Sequence, residues 1–172
     1  MIKIAGKYGL LSGIMMAALF LLSWYAFHLD FSASEIFGYT SIVVSLFIIY
    51  FGVKNIRDKQ LGGVISFQTA LLYGCLISVV AGVILGAIDA LYVAVLNPGF
   101  EQQYAAYLAE QAKNSGKSPA EIEADIKATN ALMQSFTPFT YFLLMFATVA
   151  IIGIVESIIF SFMLRRSDPR QG

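Results

Sequence analysis

Two carboxylates, Asp89 and Glu156, stand inside strongly apolar runs of the chain. An ionisable group near the centre of a bilayer costs roughly 2.5–3.5 kcal/mol on insertion scales, so a chain that keeps one must bury it, solvate it or protonate it. Asp89 follows Gly82 by seven residues and Gly86 by three, and Glu156 follows Gly153 by three. Helical spacing therefore turns each acid toward a face of small residues, where a second helix can come close. Two kinds of chemistry fit. The acids are stepping stones for a proton or cation, or they are polar contacts that fix how helices dock, with Tyr92 as candidate neighbour for Asp89 and Ser157 or Ser161 for Glu156. Counted from the outer ends of their helices, Asp89 lies about 10 Å deep and Glu156 about 26 Å deep, which argues against a direct pair.

Other chemistry-bearing residues are isolated. Cys75 is the single cysteine and has no intrachain disulfide partner, and His28 is the single histidine, with no Cys or His at ligand spacing. No metal site or cofactor is expected. Gly116-Lys117-Ser118 resembles the end of a phosphate-binding loop, yet Gln111 stands where the first glycine of that motif belongs and no strand precedes it. His28 and Asp30 form a solvated rim pair or a pH-sensitive one. No Ser/His/Asp or Cys/His set assembles on one side of a membrane, so an enzyme is not expected. Lys54, Arg57 and Lys59 form a basic cluster that sets topology or attracts anionic lipid head groups, at roughly 1 kcal/mol per charge.

The elements that must position these residues follow from composition. Hydrophobic residues make up 58% of the 172-residue chain and charged residues 13%, against roughly 25% charged in soluble domains. Net charge is zero, which gives no field for nucleic acid. Four apolar runs, residues 8–27, 36–53, 64–96 and 139–164, are long enough to cross about 30 Å of hydrocarbon. The third reaches about 50 Å if wholly helical, so its start lies at or beyond the membrane surface. The first has a positive start, but bulky Trp24, Tyr25 and Phe27 occupy the places where a cleaved signal needs small residues. It is expected to remain as a helix.

Charge sorting gives an orientation. Lys3, Lys7, Lys54, Arg57, Lys59, Arg165, Arg166 and Arg170 fall on one side of the four runs. Lys113, Lys117 and Lys127 fall on the other, among Asp30, Glu35, Glu101, Glu110, Glu121, Glu123 and Asp125. The positive-inside rule places the first set, with both termini, in the cytoplasm. The polar segment 97–137 then lies outside. Asn97 caps and Pro98 opens one helix to about Lys113, and Ser118-Pro-Ala-Glu121 is a capping box opening a second. The expected fold is all-α: a four-helix transmembrane bundle with an extracytoplasmic amphipathic helical hairpin between the third and fourth spans. The third run carries Ala70, Gly74, Ser78, Gly82, Gly86 and Ala90 at four-residue spacing, with weaker echoes in Gly9, Gly13 and Ala17 and in Gly153, Ser157 and Ser161. These are helix-packing candidates, because lipid tails are as apolar as leucine and helices associate through close approach at small residues.

The stretch Tyr50-Phe-Gly-Val-Lys-Asn-Ile-Arg-Asp-Lys59, followed by Gly63-Val-Ile-Ser-Phe67 and Gly74, resembles a bacterial integral-membrane family catalogued as domain of unknown function 4199. Lys7-Tyr8-Gly9 and Asn97-Pro98-Gly99-Phe100 with Tyr104 add to the resemblance, which spans nearly the whole chain. It implies four spans with a polar helical segment before the last, and no family activity. Two functions are therefore expected. The first is a non-enzymatic structural or accessory protein of the bacterial inner (cytoplasmic) membrane, embedded in the lipid bilayer and binding a membrane-protein partner or a copy of itself as a homo-oligomer. The alternative is a small proton- or cation-coupled transporter or channel using Asp89 and Glu156.

Overall fold

A computed structural model describes residues 1–25, 27, 29–114 and 116–166, and these are almost entirely helical. In chain order the helices are α1 (Ile2–Tyr25), α2 (Phe31–Leu46), α3 (Ile48–Gln60), α4 (Phe67–Leu91), α5 (Phe100–Lys113), α6 (Pro119–Met133) and α7 (Pro138–Leu164). A π-helical turn, Tyr92–Leu96, ends α4. Four helical stretches are long and apolar enough to cross a membrane: Ile2–Tyr25, Phe31–Gln60, Phe67–Leu96 and Pro138–Leu164. His28 and the tail 167–172, with Arg170, lie outside the described residues.

Local chemistry sets the ends. Asp30 accepts the Ala33 amide at 2.7 Å and caps α2, and Ser66 caps α4 by accepting the Thr69 amide at 3.2 Å. Thr137 caps α7, with Pro138 at the first helical position, where its missing N–H has no partner to lose. Gly62 and Gly63, at φ 63° and 88°, make the left-handed turn between α3 and α4, a conformation costly for residues with a Cβ. Two boundaries differ from expectation. The second apolar run is one helical stretch interrupted at Phe47. There Ser12 of α1 donates to the Ser45 carbonyl at 2.8 Å, and a side chain entering the ladder in this way breaks it. Asn97 does not cap α5, which begins at Phe100 with Gly99 in the cap position. The Asn97 amide donates instead to the Tyr92 hydroxyl at 3.1 Å.

The bundle is organised around α4, which packs along α7 on one side and α1 on the other. Small residues make both seams. A Cβ on Gly74 would meet the Ser157 Cβ at 2.8 Å, and a Cβ on Gly153 would collide with Ser78, so the two helices exchange a glycine and a serine across the interface. Further along, the Phe142 carbonyl stands 2.8 Å from where a Gly86 Cβ would lie. On the other face Gly9 and Gly13 admit Ile77, Val80 and Ile84 of α4. The exterior is apolar, unlike that of a soluble domain, while serines join the aliphatic core inside. Ser12, Ser41, Ser45, Ser78, Ser157 and Ser161 are buried, whereas Leu10, Ile14, Val44, Leu72, Val83, Ile151, Ile154 and Val155 are exposed.

The end of the bundle that holds the start of α1, the α3–α4 turn and the end of α7 is tied by polar contacts. Arg57 is only 6% exposed; its Nη1 donates to the Leu164 carbonyl at 3.3 Å and its Nε meets Asp58 at 2.6 Å. A guanidinium at a helix C-terminus satisfies an orphan carbonyl and complements the helix dipole. Ile65 and Arg166 add an antiparallel backbone bridge.

The seam makes opposite demands on different glycines. Gly86→Ala and Gly153→Ala should each lower stability by about 1–3 kcal/mol, the usual result of overpacking. Gly6→Ala and Gly38→Ala, whose Cβ atoms would meet nothing within 4 Å, should be neutral or stabilising by up to about 1 kcal/mol. Thermal unfolding in detergent checks the order; equal losses at all four sites would refute the seam.

Candidate functional site

The described residues line a half-open cavity of about 470 Å³ between α1, α2, α4 and α7, at the end where α5 and α6 join the bundle. That volume falls in the range of small-molecule sites, roughly 300–1,000 Å³. α2 packs on α1 and makes only sparse contact with α7, which leaves the gap. The walls are largely aromatic. Trp24 stacks on Tyr92 with centroids 5.6 Å apart and meets Phe31 and Phe100 edge to face. Phe100 in turn stacks on Tyr104 and packs against Tyr141. These rings tie the start of α5 to the ends of α1, α2 and α4.

Asp89 comes from the last turn of α4 and lines this cavity. Its carboxylate makes no hydrogen bond or ion pair among the described residues, although the Tyr92 and Tyr141 hydroxyls lie within its electrostatic reach. No hydrogen bond joins Tyr92 to it; the Tyr92 hydroxyl instead accepts from the Asn97 side-chain amide at 3.1 Å. Tyr141, 8% exposed, also lines the cavity, and its hydroxyl has no protein partner. At the mouth stands Glu35, close to Tyr104. Burial pushes the Tyr104 phenol above its ordinary value, and the nearby Glu35 adds to the effect. Among the described lining residues, Asp89 and Glu35 are acids and there is no Lys, Arg or His.

Glu156 lies elsewhere. It is 7% exposed, does not line the cavity, and neither of its carboxylate oxygens has a protein hydrogen-bond partner. The Ser45, Ser157 and Ser161 hydroxyls share that condition. The Gly74–Ser157 and Ser78–Gly153 contacts fix the register of the antiparallel pair. They set Glu156 level with Cys75, so the two acids are separated along the seam by roughly 21 Å. Nothing in the described structure joins them.

The basic cluster divides. Lys54 and Lys59 are exposed, with the Lys54 ammonium 6.0 Å from the Tyr50 ring. Arg57 is a correction to the sequence reading: it turns inward to the end of α7 and is not free for a lipid head group. Lys117 lies beside the glycine turn at Gly116 and pairs with Asp125 at 2.6 Å, while Glu121 closes the capping box on Ser118. The Ser118 hydroxyl and amide hold the Glu121 carboxyl below its usual value. No group of three or more His, Cys, Asp or Glu residues that could hold a metal ion occurs among the described residues.

A family model described as a protein of unknown function (DUF4199) matches residues 7–166. No curated protein matches the chain, and no solved structure does.

Glu156 generates a prediction on stability. An unpaired buried polar group costs about 1–3 kcal/mol relative to an apolar one of similar shape, so Glu156→Met should raise the melting temperature in detergent. Glu156→Gln, which keeps a polar group in place, should change it little. A clear loss of stability in Glu156→Met would mean that the carboxyl has a partner holding the helices together.

Proposed function

The chain belongs to the DUF4199 family of proteins of unknown function, and from that premise we propose that it is a non-enzymatic, multi-pass accessory protein of the bacterial cytoplasmic membrane. Its partner is another membrane protein or a second copy of itself. Both termini face the cytoplasm and the α5–α6 arm lies outside. The membrane reading rests on four helices long and apolar enough to span, with large apolar side chains on their exteriors and glycine and serine at their seams. The orientation rests on Lys3, Lys7, Lys54, Lys59, Arg165 and Arg166 at the end opposite α5 and α6, as the positive-inside rule requires.

One observation carries the accessory role. α5 and α6 pack on each other, yet no residue of either is buried. A helix pair that gains so little from its own chain depends on a few aromatic contacts at the start of α5, and its remaining faces are open to a partner. A second reading, cation-coupled transport, is favoured by the unpaired Asp89 in the cavity. Against it stands the separation of the acids, since Glu156 does not line that cavity and lies some 21 Å away along the seam.

Topology and partnership are testable together. In a Cys75→Ala background, Lys59→Cys and Lys117→Cys should react with a membrane-impermeant maleimide from opposite sides of the membrane. Labelling from one common side would overturn the orientation. In mild detergent the chain should run as a particle larger than a monomer, and replacing residues 98–136 by a short Gly/Ser linker should dissociate it. A strictly monomeric wild type without a cross-linked partner would remove the accessory role. Proteoliposome cation flux lost in both Asp89→Asn and Glu156→Gln would establish the second reading instead.

A further inference from the structure

We propose that the cavity around Asp89 binds a lipophilic organic cation, its aromatic walls holding the apolar body and the Asp89 carboxylate pairing with the positive charge. This goes beyond the accessory role and does not depend on it.

Three observations converge. The first is charge: Asp89 lines the cavity with no partner of its own, Glu35 stands at the mouth, and no described lining residue is basic. An anionic ligand would meet only like charge, whereas a cation supplies the interaction the chain itself omits. The second is the wall. Trp24, Phe31, Phe100 and Tyr104 line it, and aromatic rings attract desolvated organic cations strongly, Trp most of all. The third is the Tyr141 hydroxyl, which is buried, unpartnered and part of the lining. A lipid acyl chain would fill the volume but leave the Asp89 carboxylate without a partner, against the general pairing of buried polar groups.

The same lining suits a bare metal ion poorly. Hard cations such as Ca²⁺ take about six to eight oxygen ligands, whereas the cavity has two carboxylates, Asp89 and Glu35, and scattered Ser and Thr hydroxyls among rings and aliphatic side chains, with no group of three or more His, Cys, Asp or Glu that could hold a metal among the described residues. The cavity is instead of a size to hold a molecule of several rings.

Tetraphenylphosphonium tests this, with tetraphenylborate as a probe of nearly the same shape and opposite charge. The full chain is placed in nanodiscs of phosphatidylcholine, which carries no net charge. Binding is followed by equilibrium dialysis and by the emission of Trp24, the single tryptophan of the chain, which forms part of the wall. Saturable binding of the phosphonium, an accompanying change in Trp24 emission, and no saturable binding of the borate are expected. Asp89→Asn should weaken binding by about tenfold or more, as loss of a charge-assisted contact does, while Glu156→Gln leaves it unchanged. Gly38→Leu is an independent variant. Gly38 lines the cavity with open space where its Cβ would be, so a leucine there should block the probe without disturbing helix packing. Absence of saturable binding, equal binding of the borate, or full affinity in both Asp89→Asn and Gly38→Leu would overturn the proposal. A bound lipid that excludes the probe equally from wild type and Asp89→Asn would do the same. None of these outcomes bears on the labelling topology or particle size, so the two readings fail separately.

Discussion

Every other contact in the bundle is arranged around the close approach of α4 and α7. Between lipid tails and leucine side chains there is no hydrophobic difference to hold helices together, so what remains is dispersion at short range and the hydrogen bonds that short range permits. Gly74 facing Ser157 and Ser78 facing Gly153 bring the two backbones together over more than a turn. Ser78 keeps its hydroxyl occupied by donating to its own helix at the Gly74 carbonyl, 3.0 Å away. The hydroxyl therefore adds little polar burden at the contact. With α7 fixed on one side, α1 takes the other through Gly9 and Gly13, and α2–α3 packs on α1, the lower part of α4 and α7, where Phe47 and Tyr50 meet Phe160.

That arrangement also explains where the cavity is. The lower half of the bundle is filled by Leu46, Ile49, Val53, Ile56 and Ile77, all essentially inaccessible, and it is closed by Arg57 on the end of α7. In the upper half, α4 turns Gly82 and Gly86 toward Phe146 and Phe142 of α7, so those rings are absorbed by the seam. α2 leans on α1 and brings Gly38 to the gap, where a larger residue could have closed it. The π turn at Tyr92–Leu96, which ends α4, begins three residues after Asp89. Here Tyr92 is placed on Trp24 and Phe20, in the same aromatic group that receives α5.

The sequence carried the four apolar helices, because composition and length alone decide them. It also carried the small-residue face of α4, since the spacing from Ala70 to Ala90 is a property of one helix. Which helix that face meets is a property of two, and no single-helix pattern names the partner. The interruption at Phe47 was illegible for a similar reason: it depends on Ser12 reaching Ser45 from a different helix. Arg57 looked like its neighbours Lys54 and Lys59, and only the position of the end of α7 separates an inward guanidinium from outward ammonium groups. Asp89 stood out by residue type. Tyr141, Glu35 and Trp24 did not, because a tyrosine near a membrane interface, an acid outside it and an aromatic at a helix end are each ordinary until three helices place them around one space.

The two acids are therefore different problems with one composition. Glu156 sits along the α4–α7 seam, beside serines whose hydroxyls are as unpartnered as its own oxygens, and it does not line the cavity that holds Asp89. A group in that position cannot exchange ligands without the seam opening, and opening it would separate the contacts that hold α7 to α4. Asp89 sits where the helices have already diverged, so a ligand can reach it at no cost to the packing below. Binding at Asp89 is compatible with a static bundle, whereas any route through Glu156 requires a second arrangement of α7 against α4. For a seam built from interlocked glycine and serine, that second arrangement would have to be a discrete shift of register, since close-packed interfaces change in steps and do not stretch.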